Sequence, residues 1–190
     1  MKTVLFLHGF FSSGNCIPAN AIREALKDEA RVLTPDLPLH PNEALKLISE
    51  ICQKEQPDVL VGNSCGSFYA QQTDYDAPML LGNPYFMMNE FLIPRTGPHQ
   101  YKSPRANGIQ DFIIDKQLVK EFVLLQREQF NVIHTEPVWG LFGDKDPIAH
   151  FEPMFRKHFQ TVFHFPGAHT PTSEETTQYY VPLIKQLMYR

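Results

Sequence analysis

No stretch of the sequence stays apolar for anything near the roughly 20 residues that a bilayer-spanning helix requires. No cluster of Lys and Arg marks a nucleic-acid footprint either: 17 basic residues stand against 21 acidic ones, a formal net charge of −4. Membranes and nucleic acids are therefore not expected as partners. Cysteine is scarce. Cys16, Cys52 and Cys65 are odd in number and lack the paired spacing of a zinc site, which argues against a disulfide framework and against structural zinc. The eight histidines are scattered, and no two fall at the HxH or HxxxH spacing that sets a pair of imidazoles on one face, so no metal is expected. Nor does the chain have the composition of disorder, being 43% hydrophobic and 20% charged. The opening "MKTVLFLHGF" has an apolar core of only about five residues, broken by His8 and Gly9 with no small-residue cleavage site nearby. It reads as the first strand of a mature cytoplasmic protein.

What the chain does have is alternation. Short apolar runs at 3–9, 31–38, 57–64, 77–84, 137–144 and 161–167 read as strands. Helical patterns lie between them at 18–30, 42–55, 65–73, 149–159 and 173–190, with Asn42 as the expected cap of the second. Pro182 should kink the last helix or mark its true start. Strands and helices that alternate in this way imply right-handed βαβ units and one parallel sheet covered on both faces. The length of 190 residues suits a single domain. One segment breaks the rhythm. Residues from about 85 to 115 are rich in Pro, Gly and aromatics, have no clear period and are too long for a simple connection, so they should form an irregular excursion over one end of the sheet. Helix is expected again over 116–130.

The stretch "VGNSCGSFYA" places Ser64 between Gly62 and Gly66 at the end of a strand and the start of a helix. In a parallel sheet, ligands gather at the carboxyl ends of the strands, and a serine in that corner projects its hydroxyl into the crevice. Flanking glycines permit the tight turn and the close approach of neighbouring backbone. The alternative is a plain turn in which Ser64 only caps the helix. As a nucleophile, a neutral hydroxyl needs a base within reach, itself oriented by an acid. His169, in the loop after the last strand, is the candidate base. His164, His158, His99 and His150 are placed less well: within a strand, on a helix, in the excursion and too near the acid. Asp146, beyond Gly143 and directly before Pro147, is preferred as the acid, with Asp144 as the alternative. The backbone N–H groups of Phe10 and Cys65 are candidates to hold an oxyanion, and His8 is expected to be structural. Phe11, Tyr85 and Phe86 are candidate substrate-binding residues, with Met87, Met88 and Phe91 in segments that should flank the same site.

His8-Gly9-Phe10 with Ser12-Ser13, Pro35-Asp36-Leu37-Pro38, Gly62-Asn63-Ser64-Cys65-Gly66, Asn83-Pro84, Gly143-Asp144 and Gly167-Ala168-His169 occur in this order along nearly the whole chain. In these residues the sequence resembles the α/β-hydrolase superfamily and, within it, the YqiA-like small bacterial esterases. The resemblance implies a three-layer α/β-hydrolase fold, with Ser64 as nucleophile, His169 as base and no cofactor. The superfamily's usual N-terminal hairpin is missing, so about six parallel strands in the order 2-1-3-4-5-6 are expected. Relatives often have leucine after the serine, where this chain has Cys65; only the N–H of that residue is used. The expected activity is hydrolysis of small-molecule carboxylic esters with short-to-medium acyl chains. The alternatives are an acyl-CoA thioesterase and a hydrolase-fold binding protein without turnover.

Overall fold

The apolar runs form strands because each must fill two cores at once. In β1 (Lys2–Leu7), Val4 and Phe6 point to one side of the sheet and Leu5 and Leu7 to the other; all four are buried. The computed structural model describes residues 1–190. After β1 come α1 (Ile17–Ala25), β2 (Ala30–Leu33), α2 (Pro41–Glu55), β3 (Val59–Asn63), α3 (Cys65–Ala70) and β4 (Met79–Gly82). An excursion follows, made of α4 (Met88–Leu92), a single 3₁₀ turn (Ile93–Arg95), β5 (Gly97–Gln100) and β6 (Asp111–Ile114). The chain then returns through α5 (Lys116–Gln126), β7 (Val138–Gly143), α6 (Glu152–Phe155) and β8 (Thr161–Phe165) to α7 (Ser173–Glu175), a π-helical turn (Thr176–Tyr180) and α8 (Val181–Met188).

The main sheet is wholly parallel in the order β2-β1-β3-β4-β7-β8. With the two excursion strands left out of the count, this is the expected 2-1-3-4-5-6. One face packs on α2, α3 and α5 through Ile48, Phe68 and Phe122, the other on α1 and α8 through Ile22, Leu26, Ile184 and Leu187. Each such side chain, fully buried, contributes roughly 1.5–3 kcal/mol.

Several local expectations change. Asn42 does not cap α2. Pro41 takes the first helical position, where its missing N–H costs nothing, so His40 stands at the cap and makes no side-chain capping bond. The helix expected over 149–159 shrinks to the four residues of α6, because the backbone of Ile148 and Ala149 turns in to Asp146 and Pro153 is tolerated only in a first helical turn. The excursion is ordered: β5 and β6 pair as an antiparallel hairpin with Gly97 opposite Ile114 and His99 opposite Phe112. Elements of four or five residues are too short to reveal a period. Pro182 stands in the first turn of α8, which starts at Val181, as expected of a proline that marks a helix's true start; the chain widens into the π turn just before it, with the Val181 N–H donating to the Thr176 carbonyl.

The hairpin loop is sutured over the carboxyl ends of the strands. Asp36 accepts from the backbone N–H groups of Gly14 and Ala106, and Arg105 donates to the Leu37 carbonyl while stacking on Tyr101. Phe10 and Phe11 complete the attachment through edge-on contacts with Phe91 and tilted or edge-on contacts with Phe112.

Candidate active site

Ser64 sits in the corner between β3 and α3 with φ +56° and ψ −117°, a conformation that side-chain-bearing residues rarely adopt. The strain lies on the serine itself. Its two glycines serve a different purpose, because a Cβ on Gly66 would lie 1.9 Å from the Leu7 carbonyl oxygen, and one on Gly62 would lie 2.6 Å from the backbone of Gly66 and Ser67. They let α3 rest directly on β1 and β3, which drives the serine outward at the end of the sheet.

Three side chains distant in sequence meet there. The Ser64 Oγ lies 2.8 Å from His169 Nε2, and His169 Nδ1 lies 2.7 Å from an Asp146 carboxylate oxygen. The other Asp146 oxygen accepts from the N–H groups of Ile148 (2.8 Å) and Ala149 (3.0 Å). Because that carboxylate can only accept, Nδ1 carries the proton and Nε2 presents its lone pair to the hydroxyl. Burial opposes ionisation of Asp146. The His169 hydrogen bond and charge, with the two amides, outweigh it and hold the carboxyl below its ordinary range. Asp144 is exposed and its side chain makes no hydrogen bond; of the two candidate acids, Asp146 is the one that reaches His169.

The loop after β1 runs beside the hydroxyl, so closely that a Cβ on Gly9 would stand 3.8 Å from Ser64 Oγ. His8 sets this loop. It is buried, accepts from the Leu37 N–H at Nε2 (2.9 Å) and donates from Nδ1 to the Gly9 carbonyl (2.8 Å). Ser12 N–H donates to the same carbonyl. In a trans peptide the N–H points opposite to the C=O, so the Phe10 N–H is turned away from His8 and has no partner within the chain. The Cys65 N–H begins α3, where helix geometry leaves the first amides unbonded. Phe10 and Cys65 both line the cleft above Ser64.

Burial lowers the pKa of His8 to about 4, against a Gly9 hydrogen bond that favours its charge; Arg105 lowers it further and Asp36 opposes. The unfolded chain therefore takes up this proton first, and the folded state loses stability as pH falls from about 6.5 toward 4. The loss amounts to about 3 kcal/mol by the 1.36 kcal/mol per unit that links pKa to free energy. Urea midpoints measured across that window should fall more steeply for the native chain than for His8→Gln. Superimposable pH profiles of the two proteins would show that His8 is not buried as a neutral ring.

A cleft of about 220 Å³ opens over Ser64; ten of its 19 lining residues are hydrophobic, and they include Phe11, Tyr85, Met88 and Phe91. The Tyr85 ring stands edge-on to His169. Phe86 is not there. It is completely buried against Phe130 and Phe151, because alternate residues after β4 turn inward to the core, and it is withdrawn as a substrate contact. Met87 likewise lies outside the lining.

Asn83, quoted above only as part of a motif, has a positioning role that its sequence context did not reveal. Fully buried and at φ +39°, it donates from Nδ2 to the carbonyls of Ala168 (2.9 Å) and His169 (3.0 Å) and accepts from the Gly143 N–H (2.7 Å). One amide thus joins the end of β4 to the loops that carry His169 and Asp146. Behind it, the π turn delivers the Tyr180 hydroxyl to Asn63 Oδ1 (2.9 Å), one residue before the serine.

Residues 3–137 match a family model described as "Uncharacterised protein family (UPF0227)". The matched region includes Ser64 and ends before Asp146 and His169. Among solved structures, the chain is similar to Est1E from Butyrivibrio proteoclasticus, at 16% identity and a TM-score of 0.73 over 100% of this chain and 89% of that one. It is also similar to alpha/beta hydrolase domain-containing protein 10 from mouse, at 15% identity and a TM-score of 0.71 over 98% and 89% of the two chains. A third likeness is to the monoacylglycerol lipase of Paleococcus ferrophilus, at 15% identity and a TM-score of 0.70 over 98% and 93%. At these identities the likeness is one of fold.

Proposed function

The chain belongs to the UPF0227 family and has the α/β-hydrolase fold, and from that premise we propose that it is a serine hydrolase cleaving carboxylic esters of short-to-medium acyl chains through an acyl-enzyme. The observation that carries the reading is the unbroken path Ser64 Oγ to His169 Nε2 at 2.8 Å and His169 Nδ1 to Asp146 at 2.7 Å, beneath an apolar cleft.

Each step follows from the groups in place. Ser64 Oγ attacks the ester carbonyl while His169 Nε2 takes its proton; Asp146 keeps the ring in the right tautomer and stabilises the imidazolium. The N–H groups of Phe10 and Cys65 donate to the oxyanion of the tetrahedral intermediate. His169 returns the proton to the alkoxide as the C–O bond breaks and the alcohol leaves. It then deprotonates water, which attacks the acyl-enzyme; collapse frees the acid and restores the Ser64 hydroxyl. The esterase, lipase and hydrolase names of similar structures agree with this class of reaction. The size and aromatic lining of the cleft favour acyl groups of modest length.

A fluorophosphonate probe tests the reading directly. Intact mass should rise by the probe less hydrogen fluoride, on Ser64 alone, and a chain-length series of oxyesters assayed beside matched thioesters should be turned over with the shorter oxyesters preferred. A protein that acquires no adduct and hydrolyses no member of the series is not a hydrolase of this kind.

A further inference from the structure

The cleft has an electrical asymmetry that ester chemistry alone does not require. Apart from His169, Lys102 is the one ionisable cation among its lining residues, and no carboxylate lines it at all. The other two guanidinium groups of the hairpin region are held elsewhere: Arg95 lies over the Phe91 ring and donates to the Phe91 carbonyl, and Arg105, which does not line the cleft, stacks on Tyr101 and bonds the Leu37 carbonyl through one terminal nitrogen while the other is buried without a partner. Asp36, which accepts from the loop's Ala106 N–H, has both oxygens occupied by backbone N–H groups, and Asp111 accepts from the Gln100 side chain. Lys102 takes part in none of the chain's ion pairs, and its Nζ donates to no protein group.

Its position is nevertheless fixed. The Lys102 N–H donates to the Phe11 carbonyl at 2.7 Å, which pins the hairpin loop to the loop that follows β1. The ammonium lies 5.8 Å from the centre of the Phe11 ring, within the range where a cation is held over an aromatic face. The hydroxyls of Ser12 and Ser103, 3.3 Å apart, line the same cleft. The unpaired ammonium and one of the two hydroxyls, the other donating to its neighbour, supply donors suited to a second oxygen-rich anion, at a place where nothing in the protein supplies one.

We propose that Lys102, with Ser12 and Ser103, forms an anion-recognising subsite, so that the favoured substrates are esters bearing a carboxylate or phosphate remote from the scissile carbonyl. The inference rests on the esterase reading above. Lys102 acts on specificity: its charge attracts the remote anion and takes no part in the chemistry at Ser64. Because the ammonium is solvent-exposed, the discrimination it provides is modest and screened by salt.

The experiment measures kcat/KM for methyl half-esters of dicarboxylic acids of increasing length, each divided by the value for the neutral methyl ester of the matching monocarboxylic acid. A second arm uses acyl esters of 2-hydroxyethyl phosphate against acyl esters of ethanol; the two arms separate a carboxylate from a phosphate. In at least one arm, the ratio should fall about fivefold in Lys102→Met, which keeps the stem over Phe11, and stay within about twofold of the native value in Lys102→Arg. Raising salt from about 0.01 M to about 1 M, which shortens the screening length from ~30 Å to ~3 Å, should lower the native ratio and leave that of Lys102→Met flat. Ratios unchanged by Lys102→Met in both arms, in a protein that hydrolyses the neutral esters, overturn this inference alone. A native protein that hydrolyses neither class and takes no fluorophosphonate overturns the esterase reading, and this inference with it.

Discussion

Ser64→Ala is expected to lower kcat by about 10⁴–10⁶, leaving only the acceleration that binding and the oxyanion donors can provide without a nucleophile. The substitution removes one oxygen and leaves the corner's geometry intact. Alanine at φ +56° is as unfavourable as serine, so Ser64→Ala should unfold near the native temperature. Ser64→Gly separates the two consequences of the position. It should be equally inactive, yet glycine adopts positive φ without penalty, and relief of a strain of about 1–3 kcal/mol should hold or raise its thermal midpoint despite glycine's greater entropy in the unfolded chain. An inactive variant that gains stability indicates a residue kept at a strained angle for its hydroxyl. Activity in Ser64→Ala within tenfold of native would remove Ser64 from the mechanism.

Much of this arrangement is readable in the sequence because each relevant residue has a local signal. A parallel strand buried on both faces has to be continuously apolar, so β1, β3, β4 and β7 announce themselves. A glycine two positions on either side of a serine at such a strand's end announces the corner. His169 is legible by its place after the last strand. The unreadable parts are those where long-range contact decides. Phe86 and Tyr85 are adjacent aromatics of the same loop, and only packing against Phe130 and Phe151 determines that one is core and the other lines the cleft. The hairpin of β5 and β6 has four residues a side, with Pro98 in one strand, and its pairing is fixed by Phe112 and Ile114 facing the core. Asn83 looks like an ordinary turn residue; its three bonds reach 60, 85 and 86 positions away. A helix cap at Asn42 was a local inference that a stronger local signal, Pro41, overrode.

The choice between two nearby carboxylates was the point at which sequence order left an ambiguity, and it yields the second large effect. Asp146→Asn should lower kcat by about 10³–10⁴, while Asp144→Asn changes it less than twofold. The asparagine can still accept one hydrogen bond, and the loop formed by Ile148 and Ala149 remains. What is lost is a negative charge against His169 Nδ1, and with it both the preference for the tautomer that leaves Nε2 free and the stabilisation of the imidazolium in the transition state. Labelling of Ser64 by the fluorophosphonate should slow in parallel, since that step needs the same base. Stability supplies an independent readout. The Asp146 carboxyl is held below its ordinary pKa in the folded protein, so its ionised form contributes stability above the unfolded value near 3.9, and that contribution disappears as pH falls through the lower folded value. Asp146→Asn should therefore be less stable than the native chain at neutral pH and draw closer to it in acid. Should Asp144→Asn be the variant that loses activity, the acid would lie on the exposed side of the loop, and the 2.7 Å contact between Asp146 and His169 would be structural only.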